Sequence, residues 1–395
     1  MNTKRAPKVR FKGFTDAWEL RKLPEFVNFY SGLTYTPDNV QESGTLVLRS
    51  SNVKNGEIID ADNVYVNIDI VNSENVQDGD IIVVIRNGSR ALIGKHAQIK
   101  GFRSNTVIGA FMTGIRSEHP AFVNALLDTP AFEIEIAKNL GATINQITGY
   151  MFSKMEFAIP SSKEQIEIGK FFLNLDNLIT LHQRKLDRMK ALKKAFLNLI
   201  FSQKLRFRGF TESWELCKLG NIVEEYIEKT IIQNQYPVLT SSQQKGIVFQ
   251  EDYFAGRQTT TDENIGYFVL PKGYFTYRSR SDNDIFVFNR NDLIDKGIIS
   301  YFYPVFRVND TDSNFFLWRV NNGIKRQVTI AAEGTGQHVL SLKKFKDIVT
   351  LFPTIEEQRR IGKFFSDLDH LITLQQNKID SLKEVKKILL RNMLI

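Results

Sequence analysis

The residues that could carry out chemistry in this sequence do not form a common catalytic pattern. Residues 88–96 (GSRALIGKH) look superficially like a phosphate-binding loop, but five residues separate the two glycines instead of four. His96 also stands where a Ser or Thr would hold magnesium in such a loop. We therefore do not expect an ATP site in this segment.

Hydrolase, methyl-transfer and metal-site patterns are also missing. The sequence has no Gly-x-Ser-x-Gly segment, no His-Glu-x-x-His segment and no Pro-Pro pair of the kind found in amino-group DNA methyltransferases. Its five histidines lack metal-ligand spacing, and the single cysteine, Cys217, cannot form an internal disulfide or a Cys-based zinc site. Asp176 and Asp369 are expected on helix surfaces. The sequence favours binding, with no catalytic residue and no metal in this chain.

The composition describes a basic protein with enough apolar residues for sizeable cores. The chain has 395 residues, a formal net charge of +8 and 42% hydrophobic residues. This length predicts more than one domain, and the charge favours a polyanionic partner. No run of about 18 apolar residues is present, and the basic start MNTKRAPKVR has no apolar stretch behind it. We expect no membrane span and a cytoplasmic location.

The elements that must position a binding surface are repeated within the chain. Residues 168–186 (IGKFFLNLDNLITLHQRKL) recur as residues 361–379 (IGKFFSDLDHLITLQQNKI) after a shift of 193 positions. Residues 10–23 (RFKGFTDAWELRKL) recur as residues 206–219 (RFRGFTESWELCKL) after a shift of 196. The chain is therefore a duplicated unit with constant ends.

The repeated segments at residues 168–186 and 361–379 each predict a long helix. Pro160 and Pro353 precede the two copies, as is common at helix starts. Apolar residues then step by four and three, which is typical of a coiled coil. A helix of about 35 residues would be roughly 50 Å long. The predicted helix–helix positions are Ile168, Phe172, Leu175, Ile179, His182 and Leu186 in the first copy, and Ile361, Phe365, Leu368, Ile372, Gln375 and Ile379 in the second.

One layer of this heptad pattern is polar. His182 and Gln375 occupy the same position in the two copies, near the middle of each helix. If a pseudo-two-fold axis relates the copies, the helices are antiparallel and these side chains meet. Such a pair would fix the register at some cost in stability. The alternative is that His182 is a tolerated polar residue at a hydrated position.

The two middles, residues 24–158 and 220–351, scarcely resemble each other, but both predict mixed α and β structure. β-Branched and aromatic runs bounded by turn dipeptides such as Asn55-Gly56 favour strands. Strands are predicted at residues 45–49, 80–86, 274–278, 284–290 and 298–308, and helices at residues 120–140, interrupted near Pro130, and 313–333.

The two leads, residues 10–23 and 206–219, are expected to be structural. Their aromatic residues are spaced to bury one side of a short element, which would dock onto the domain that follows. These residues are Phe11, Phe14 and Trp18 in the first lead, and Phe207, Phe210 and Trp214 in the second.

Together these features predict an α+β fold. Two mixed α/β domains are joined by two long antiparallel coiled-coil helices, as a pseudo-two-fold internal repeat. The expected segments are residues 1–160 for the first lead and domain, 161–204 for the first helix, 205–353 for the second lead and domain, and 354–395 for the second helix.

The helix starts carry a more specific motif. Residues 159–172 (IPSSKEQIEIGKFF) and 352–365 (FPTIEEQRRIGKFF) share Pro-x-x-x-Glu-Gln-x-x-Ile-Gly, and each continues into LD-LITL. With the paired GF-WE-KL leads and the text VQDGDIIVV at residues 76–84, this layout resembles the specificity subunits of type I restriction–modification enzymes. The resemblance covers essentially the whole chain. The second middle departs from it, with LPKGYFTYR at residues 270–278.

This resemblance implies a function and a set of partners. Each middle would be a target recognition domain that reads one half of a split double-stranded DNA site. The helices would set the spacer and dock two methyltransferase subunits, which bring S-adenosylmethionine and modify adenine. Translocating nuclease subunits would join for restriction. This chain would supply sequence choice and no active site or cofactor.

Loops that mix basic and amide side chains are the expected DNA contacts, because Arg reads guanine, Asn and Gln read adenine, and small polar groups bind phosphate. For each loop the alternative is an ordinary solvated turn, and the same holds for Lys343, Lys344 and Lys346. The candidates in the first middle are Arg49, Ser50, Ser51, Asn52, Arg86, Asn87, Ser89, Arg90, Asn145 and Gln146. Those in the second are Thr240, Ser241, Ser242, Gln243, Gln244, Lys245, Arg278, Arg280, Ser281 and the segment Gly336, Gln337 and His338.

Two rival functions remain open from the sequence. A coiled-coil scaffold with two ligand- or protein-binding domains explains the repeats and heptads equally well, but not the basic, amide-rich loops. A self-sufficient modifying enzyme would need the motifs that are missing. Salt separates the first rival from DNA binding, since DNA affinity falls steeply as salt rises.

Overall fold

The computed structural model describes residues 6–101, 103–140, 145–254, 263–334 and 337–394, and it divides into two compact units. Unit 1 is Met1–Arg184 with Gln376–Ile395, and unit 2 is Lys185–Gln375. Each unit therefore contains the start of one long helix and the end of the other. For this reason the units do not coincide with the four consecutive segments expected from the sequence.

The elements of unit 1 follow the order that the sequence predicts, with a mixed domain before the long helix. They are β1 (Glu19–Lys22), β2 (Asn28–Ser31), β3 (Val40–Gln41), β4 (Thr45–Leu48), β5 (Val53–Lys54), β6 (Glu57–Ile58), β7 (Val64–Val66), β8 (Ile81–Val84), β9 (His96–Gln98), β10 (Thr106–Ile108), β11 (Met112–Arg116), α1 (Pro120–Leu127), α2 (Pro130–Asn139), α3 (Gly149–Lys154), β12 (Glu156–Ile159) and the first part of α4 (Ser162–Phe201).

Two four-stranded sheets form the frame of unit 1. One has the order β2-β11-β8-β9 and is antiparallel, and the other has the order β10-β4-β7-β3 with β10 parallel to β4. All four residues of β8 are buried, as expected for a strand that is covered on both faces. β1 pairs with β12, which ties the end of the lead to the residues just before α4.

Unit 2 repeats this plan with different sequence. Its elements are β13 (Glu215–Lys218), β14 (Val223–Glu225), β15 (Leu239–Ser242), β16 (Gly246–Phe249), α5 (Gln250–Tyr253), β17 (Phe268–Pro271), β18 (Phe275–Tyr277), β19 (Arg280–Ser281), β20 (Phe288–Arg290), β21 (Lys296–Ile299), β22 (Val305–Val308), α6 (Ser313–Trp318) with a π-helical turn (Arg319–Gly323), α7 (Lys325–Ala331), β23 (His338–Val339), α8 (Leu342–Asp347), β24 (Val349–Phe352) and the first part of α9 (Ile355–Met393).

The central sheet of unit 2 has the order β14-β22-β18-β20, which matches the antiparallel sheet of unit 1 element for element. β13 pairs with β24 as β1 pairs with β12. The core is unusually aromatic. The rings of Phe288 and Phe345 stack with centroids 4.6 Å apart, and Tyr277 packs on Phe288 at the same distance. The two middles thus share the strand order of one sheet, which their sequences do not reveal, whereas the other described sheets of unit 2 are two-stranded.

The long helices bury the predicted face. In unit 1, Ile168 and Phe172 of α4 belong to the same core as Leu390 and Met393 of α9. Unit 2 has the matching arrangement, in which Ile361 belongs to the core that contains Leu197, Ile200 and Phe365. All twelve predicted helix–helix positions are buried or half-buried. His182 and Gln375 lie in different units, and their meeting stays a prediction.

Most predicted elements are present, but one strand prediction is wrong. Residues 298–308 were expected as a single strand and form β21 and β22 with a turn between them. Ser300 accepts a hydrogen bond from the amide of Tyr303 at 2.9 Å, which closes the turn. Pro304 has no N–H to donate and so cannot continue a strand ladder. Within the described residues, no helix is long and apolar enough to cross a membrane.

Candidate nucleic-acid interface

The lead and the helix motif together anchor each mixed α/β domain. Arg10 donates two hydrogen bonds to the Glu164 carboxylate in the first turn of α4, at 2.9 and 2.7 Å, and Trp18 Nε1 donates a third at 3.2 Å. The Glu164 side chain is 1% exposed. A carboxylate so buried needs such partners, because an unpaired buried charge is costly. The leads therefore dock on the start of the long helix, where Phe11 also packs on Phe171 at 5.8 Å.

The next two motif residues hold the helix against the domain. Gln165 donates from Nε2 to the carbonyl oxygen of Pro160 at 2.9 Å, which caps the segment that enters α4. A Cβ atom at Gly169 would lie 2.7 Å from the backbone nitrogen of Phe122 in α1. Only glycine fits at this crossing, because real Cβ atoms do not approach so closely. The motif is therefore a structural joint rather than a reactive site.

Unit 2 builds the same joint from the second copy of the motif. Arg206 donates to Glu357 at 2.9 and 2.6 Å, and this hydrogen bond raises the pKa of the arginine. Gln358 donates to the carbonyl oxygen of Pro353 at 2.9 Å. A Cβ atom at Gly362 would lie 2.8 Å from the amide nitrogen of Phe315 in α6. The leads and the helix motif thus hold the start of a long helix against the mixed domain in both units.

The structure brings the three candidate segments of unit 1 together. Asn87 donates from Nδ2 to Ser50 Oγ at 3.1 Å, and its backbone amide donates to the carbonyl of Asn145 at 3.3 Å. Asn145 in turn donates from Nδ2 to the carbonyl of Gly88 at 3.1 Å. Arg86 and Gln146 form an isolated β-bridge. Residues far apart in sequence therefore form one polar surface at the end of β8.

This surface, the unit 1 cluster, is positively charged and borders a groove of about 700 Å³. Arg86 and Arg90 are exposed. Burial and the nearby Lys54 lower the pKa of Lys95, whose Nζ atom donates to the carbonyl of Ser50 at 3.3 Å. Burial is the larger cause, and Lys54 adds to it because a second positive charge disfavours the ammonium form. Such a surface favours an anionic partner.

Asn52 was predicted to contact DNA, but the structure places it inside the domain. Its side chain is fully buried, and its Nδ2 donates to the carbonyl of Ala61 at 2.7 Å and to Asn63 Oδ1 at 3.0 Å. Its Oδ1 accepts the Arg49 amide at 2.9 Å. The amide group is therefore occupied inside the domain and cannot read a base. Arg49 itself is half-buried and donates from Nη2 to the carbonyl of Asp62 at 2.5 Å.

Unit 2 also brings its candidate segments together. One groove of about 510 Å³ is lined by residues 240–244 and by Arg278, Arg280 and Ser281. β19 pairs with β23, so that Ser281 lies opposite His338. Gln337 donates to Asp282 at 2.9 Å, and His338 contacts Asp284. Gly336 lies outside the described residues. The exposed side chains of this unit 2 cluster are Gln243, Gln244, Lys245, Arg278, Arg280 and Gln337.

Two serines of unit 2 have structural roles instead of surface ones. Ser242 is 5% exposed, and its Oγ accepts the amides of Gln244 and Lys245 at 3.2 and 3.1 Å. Ser281 is equally buried, and its Oγ accepts the amide of Ile285 at 3.0 Å. Both hydroxyls close the turns that present their neighbours. Their spacing near Arg and Gln in sequence did not distinguish this supporting role from direct contact.

Sequence reasoning missed the exposed aromatic residues beside both clusters. Phe111 lines the unit 1 groove and is 56% exposed. Tyr301 and Phe302 stand in the turn between β21 and β22, at 60% and 42% exposure. The sequence SYFYP at residues 300–304, with three aromatic residues before a proline, indicated a turn. No group of three or more His, Cys, Asp or Glu side chains in the described ranges could hold a metal ion.

Comparisons with known proteins agree with this architecture. A family model described as the type I restriction modification DNA specificity domain matches residues 15–191 and again residues 211–384. The chain is 21% identical to the type I restriction enzyme StySPI specificity subunit of Salmonella potsdam, over 90% of this chain and 83% of that one. It is 24% identical to the MjaVIII specificity subunit of Methanocaldococcus jannaschii, over 49% of this chain and 47% of the relative.

Some of these matches are partial. The chain spans 59%, 47% and 44% of the length of three of the curated relatives that it matches. A crystal structure of the S subunit of a type I restriction–modification system from M. genitalium superposes over 99% of both chains, with a TM-score of 0.62 and 13% sequence identity. At this identity the likeness shows the fold alone, namely two mixed domains with two long helices.

Proposed function

The chain belongs to the type I restriction–modification DNA specificity family, and on this premise we propose that it is the DNA-recognition subunit of a type I restriction–modification complex. Each recognition domain reads one half of a bipartite double-stranded site. The chain chooses the sequence and contributes no catalytic group. The alternative of a scaffold without DNA binding is not favoured by the family match.

The convergence of the candidate segments carries this proposal. In unit 1, the Asn87 side chain bonds to Ser50 and its backbone to Asn145, so three loops share one face with exposed Arg86 and Arg90. Arginine and lysine supply the sequence-independent phosphate contacts, while amides and arginine read base edges. A basic surface with amides and an adjacent groove has the composition that both tasks need.

The unlike clusters account for a split, asymmetric site. The joints at Glu164 and Glu357 are the same, whereas the groups that each unit presents differ: unit 1 has an Arg86–Arg90 loop, and unit 2 has a Gln243–Lys245 turn. One frame that holds two different readers binds two different half-sites. We propose that the long helices, α4 and α9, set the number of base pairs between them.

The outer faces of the long helices supply the docking surfaces for partner subunits. Leu178 and Leu181 of α4 are 40% and 63% exposed in unit 1. Leu371 and Leu374 of α9 occupy the same positions in the repeat and are 52% and 50% exposed in unit 2. Repeated exposed leucines favour two equivalent apolar contacts. We propose that these bind two methyltransferase subunits, which carry S-adenosylmethionine, and that nuclease subunits join the same complex.

A salt titration tests the DNA-binding proposal. The complex with its methyltransferase subunits is bound to duplex DNA at increasing salt, and log affinity is plotted against log salt concentration. We expect a steep linear fall, since counterions are released when phosphates are neutralised. The Arg86→Gln variant should bind more weakly and have a shallower slope by about 1 per lost phosphate contact. The control is Arg21→Gln, because Arg21 is exposed and paired with Glu19 away from the cluster. An affinity that does not change with salt would contradict DNA binding.

A further inference from the structure

An exposed phenylalanine stands beside the unit 1 cluster with an arginine over its ring. Phe111 follows β10 and precedes β11, and 56% of it is exposed. The guanidinium carbon of Arg86 lies 5.0 Å from the ring centroid. The backbone holds the pair in place, because the amide of Ile85, the residue before Arg86, donates to the carbonyl of Phe111 at 2.9 Å. The ring and the arginine therefore form one fixed element.

Unit 2 contains the same element. Phe302 lies between β21 and β22 and is 42% exposed. The guanidinium carbon of Arg280 lies 5.0 Å from its ring centroid. The residue before this arginine, Ser279, bonds to the carbonyl of Phe302 through its amide at 3.4 Å and through its hydroxyl at 2.7 Å. Both the cation–ring contact and the backbone link thus recur.

The two elements occupy the same place in the fold. Phe111 enters β11, which pairs with β8 just before Arg86, and Phe302 precedes β22, which pairs with β18 just before Arg280. The surrounding text differs, GAF in one unit and SYFYP in the other. A single exposed hydrophobic residue needs no explanation. Its recurrence with the same arginine geometry in two dissimilar middles indicates a shared task.

The chemistry of the pair fits a nucleic-acid base. A cation over an aromatic face is attracted by the ring's quadrupole, which orients both groups without burying them. Aromatic side chains at DNA surfaces stack on bases or enter a base step, and the neighbouring arginine neutralises phosphate. The Phe111 ring borders the same groove as Arg49 and Ser50, and Arg280 lines the groove that holds Gln243 and Gln244.

We propose that Phe111 and Phe302 are base-stacking residues, each ring stacking on one base of the half-site that its own unit reads. Arg86 and Arg280 fix the rings and neutralise an adjacent phosphate. This inference rests on the proposed DNA-recognition function and adds to it the two side chains that open a base step. Each ring stacks on a base that has separated from its neighbouring base. Each half-site is therefore distorted at one step by its own recognition domain.

The test uses the complete complex and duplexes that carry its selected site. 2-Aminopurine, whose fluorescence rises when it is unstacked, replaces one base at a time in both halves. We expect at least one bright position in each half with the unaltered protein. Phe111→Leu should dim the position in the unit 1 half alone and lower affinity about 10-fold, since the aromatic face is lost. Phe302→Leu should do the same in the other half.

Matched variants separate stacking from bulk and folding. Phe111→Trp keeps an aromatic face and should keep the fluorescence signal. Tyr150→Leu removes another exposed ring with a cation over it, 4.2 Å from Lys154 Nζ, and should change neither half. Thermal melting of each variant checks that it folds.

The two proposals fail differently. Full affinity and full fluorescence with both Leu variants, while the unaltered complex still binds its split site, would overturn base stacking and leave DNA recognition standing. Failure of the unaltered complex to bind any duplex would overturn both proposals.

Discussion

The Nζ atom of Lys386, near the end of α9, lies 2.6 Å from Oδ2 of Asp128 at the end of α1, a residue 258 positions earlier. The same ammonium lies 2.5 Å from Oδ1 of Asp176 in α4. One lysine thus joins both long helices to the recognition domain within unit 1. In unit 2, Lys193 pairs with Asp369 and lies 4.2 Å from the Trp318 ring.

Removing this lysine should destabilise unit 1. Lys386→Met leaves Asp128 and Asp176 close together without their shared cation. Loss of one partner of a fully buried ion pair costs about 3–5 kcal/mol. Lys386, Asp128 and Asp176 are 16%, 30% and 26% exposed, so we expect a smaller loss of about 1–3 kcal/mol. The measurement is urea denaturation followed by fluorescence. Lys363→Met is the control, because its pair with Asp367 is exposed and should contribute under about 1 kcal/mol. Equal losses from the two variants would refute the bridge.

His96 lies beside Asp128 and makes the stability of unit 1 depend on pH. Burial would lower the pKa of His96, but its hydrogen bond to Asp128 and that group's charge raise it above 6.5. Burial would likewise raise the pKa of Asp128, but His96 and Lys386 lower it to about 2. The Asp128 contribution is present above its unfolded pKa of 3.8 and is lost only as pH falls towards 2. The His96 contribution is complete below 6.5 and is lost as pH rises through the raised pKa.

The stability of unit 1 should therefore decline between about pH 6.5 and the raised pKa of His96. His96→Gln should be less stable than the unaltered protein at pH 6 and should lose most of that decline. Denaturant melts at a series of pH values measure both effects. His370→Gln, which changes an exposed histidine on α9, should leave the pH profile intact. A decline that persists unchanged in His96→Gln would assign it to another group.

The Arg10–Glu164 pair gives a second stability prediction. Arg10→Ala leaves a carboxylate that is 1% exposed with Trp18 as its remaining donor. We expect a loss of about 3–5 kcal/mol in unfolding free energy, together with detachment of the lead, measurable as faster proteolysis before β1. Arg21→Ala removes an exposed pair from the neighbouring strand and should cost less than about 1 kcal/mol. If the lead stays protected in Arg10→Ala, the anchor is elsewhere.

The glycine of the helix motif should be intolerant of even one methyl group. Gly169→Ala places a Cβ atom 2.7 Å from the Phe122 backbone, which forces α4 away from α1. We expect destabilisation of about 1–3 kcal/mol and faster hydrogen exchange at the start of α1. Gly149→Ala, where a Cβ atom meets nothing within 4 Å, is the matched control in the same unit. An unchanged Gly169→Ala protein would mean that this crossing is loosely packed.

Sequence reasoning found the parts of the molecule that repeat. Two copies of Pro-x-x-x-Glu-Gln-x-x-Ile-Gly and a heptad seam are local patterns, and they predicted the long helices and their buried faces. The shared strand order of the central sheets could not be predicted, because Val83 and Thr276 occupy corresponding strands in dissimilar sequences. Strand pairing depends on which backbones meet, and many sequences satisfy the same pairing.

The candidate site was predictable by composition and not by side-chain direction. Arg86 and Arg280 were identified from loops rich in Arg, Ser and Asn, and both are exposed. Asn52 was indistinguishable from Asn87 in sequence, yet one is sealed inside its loop and the other faces Ser50. Phe111 was overlooked because a lone phenylalanine between two apolar strands usually belongs to the core. Tertiary packing, which no local pattern encodes, decides these cases.

Selection from a random DNA pool tests the central claim most directly. The chain is purified with the methyltransferase subunits of its host and used to capture duplexes at low salt. We predict a gapped motif with two short, unlike halves at a fixed separation. A single uninterrupted motif, or no enrichment, would contradict two independent readers on one frame.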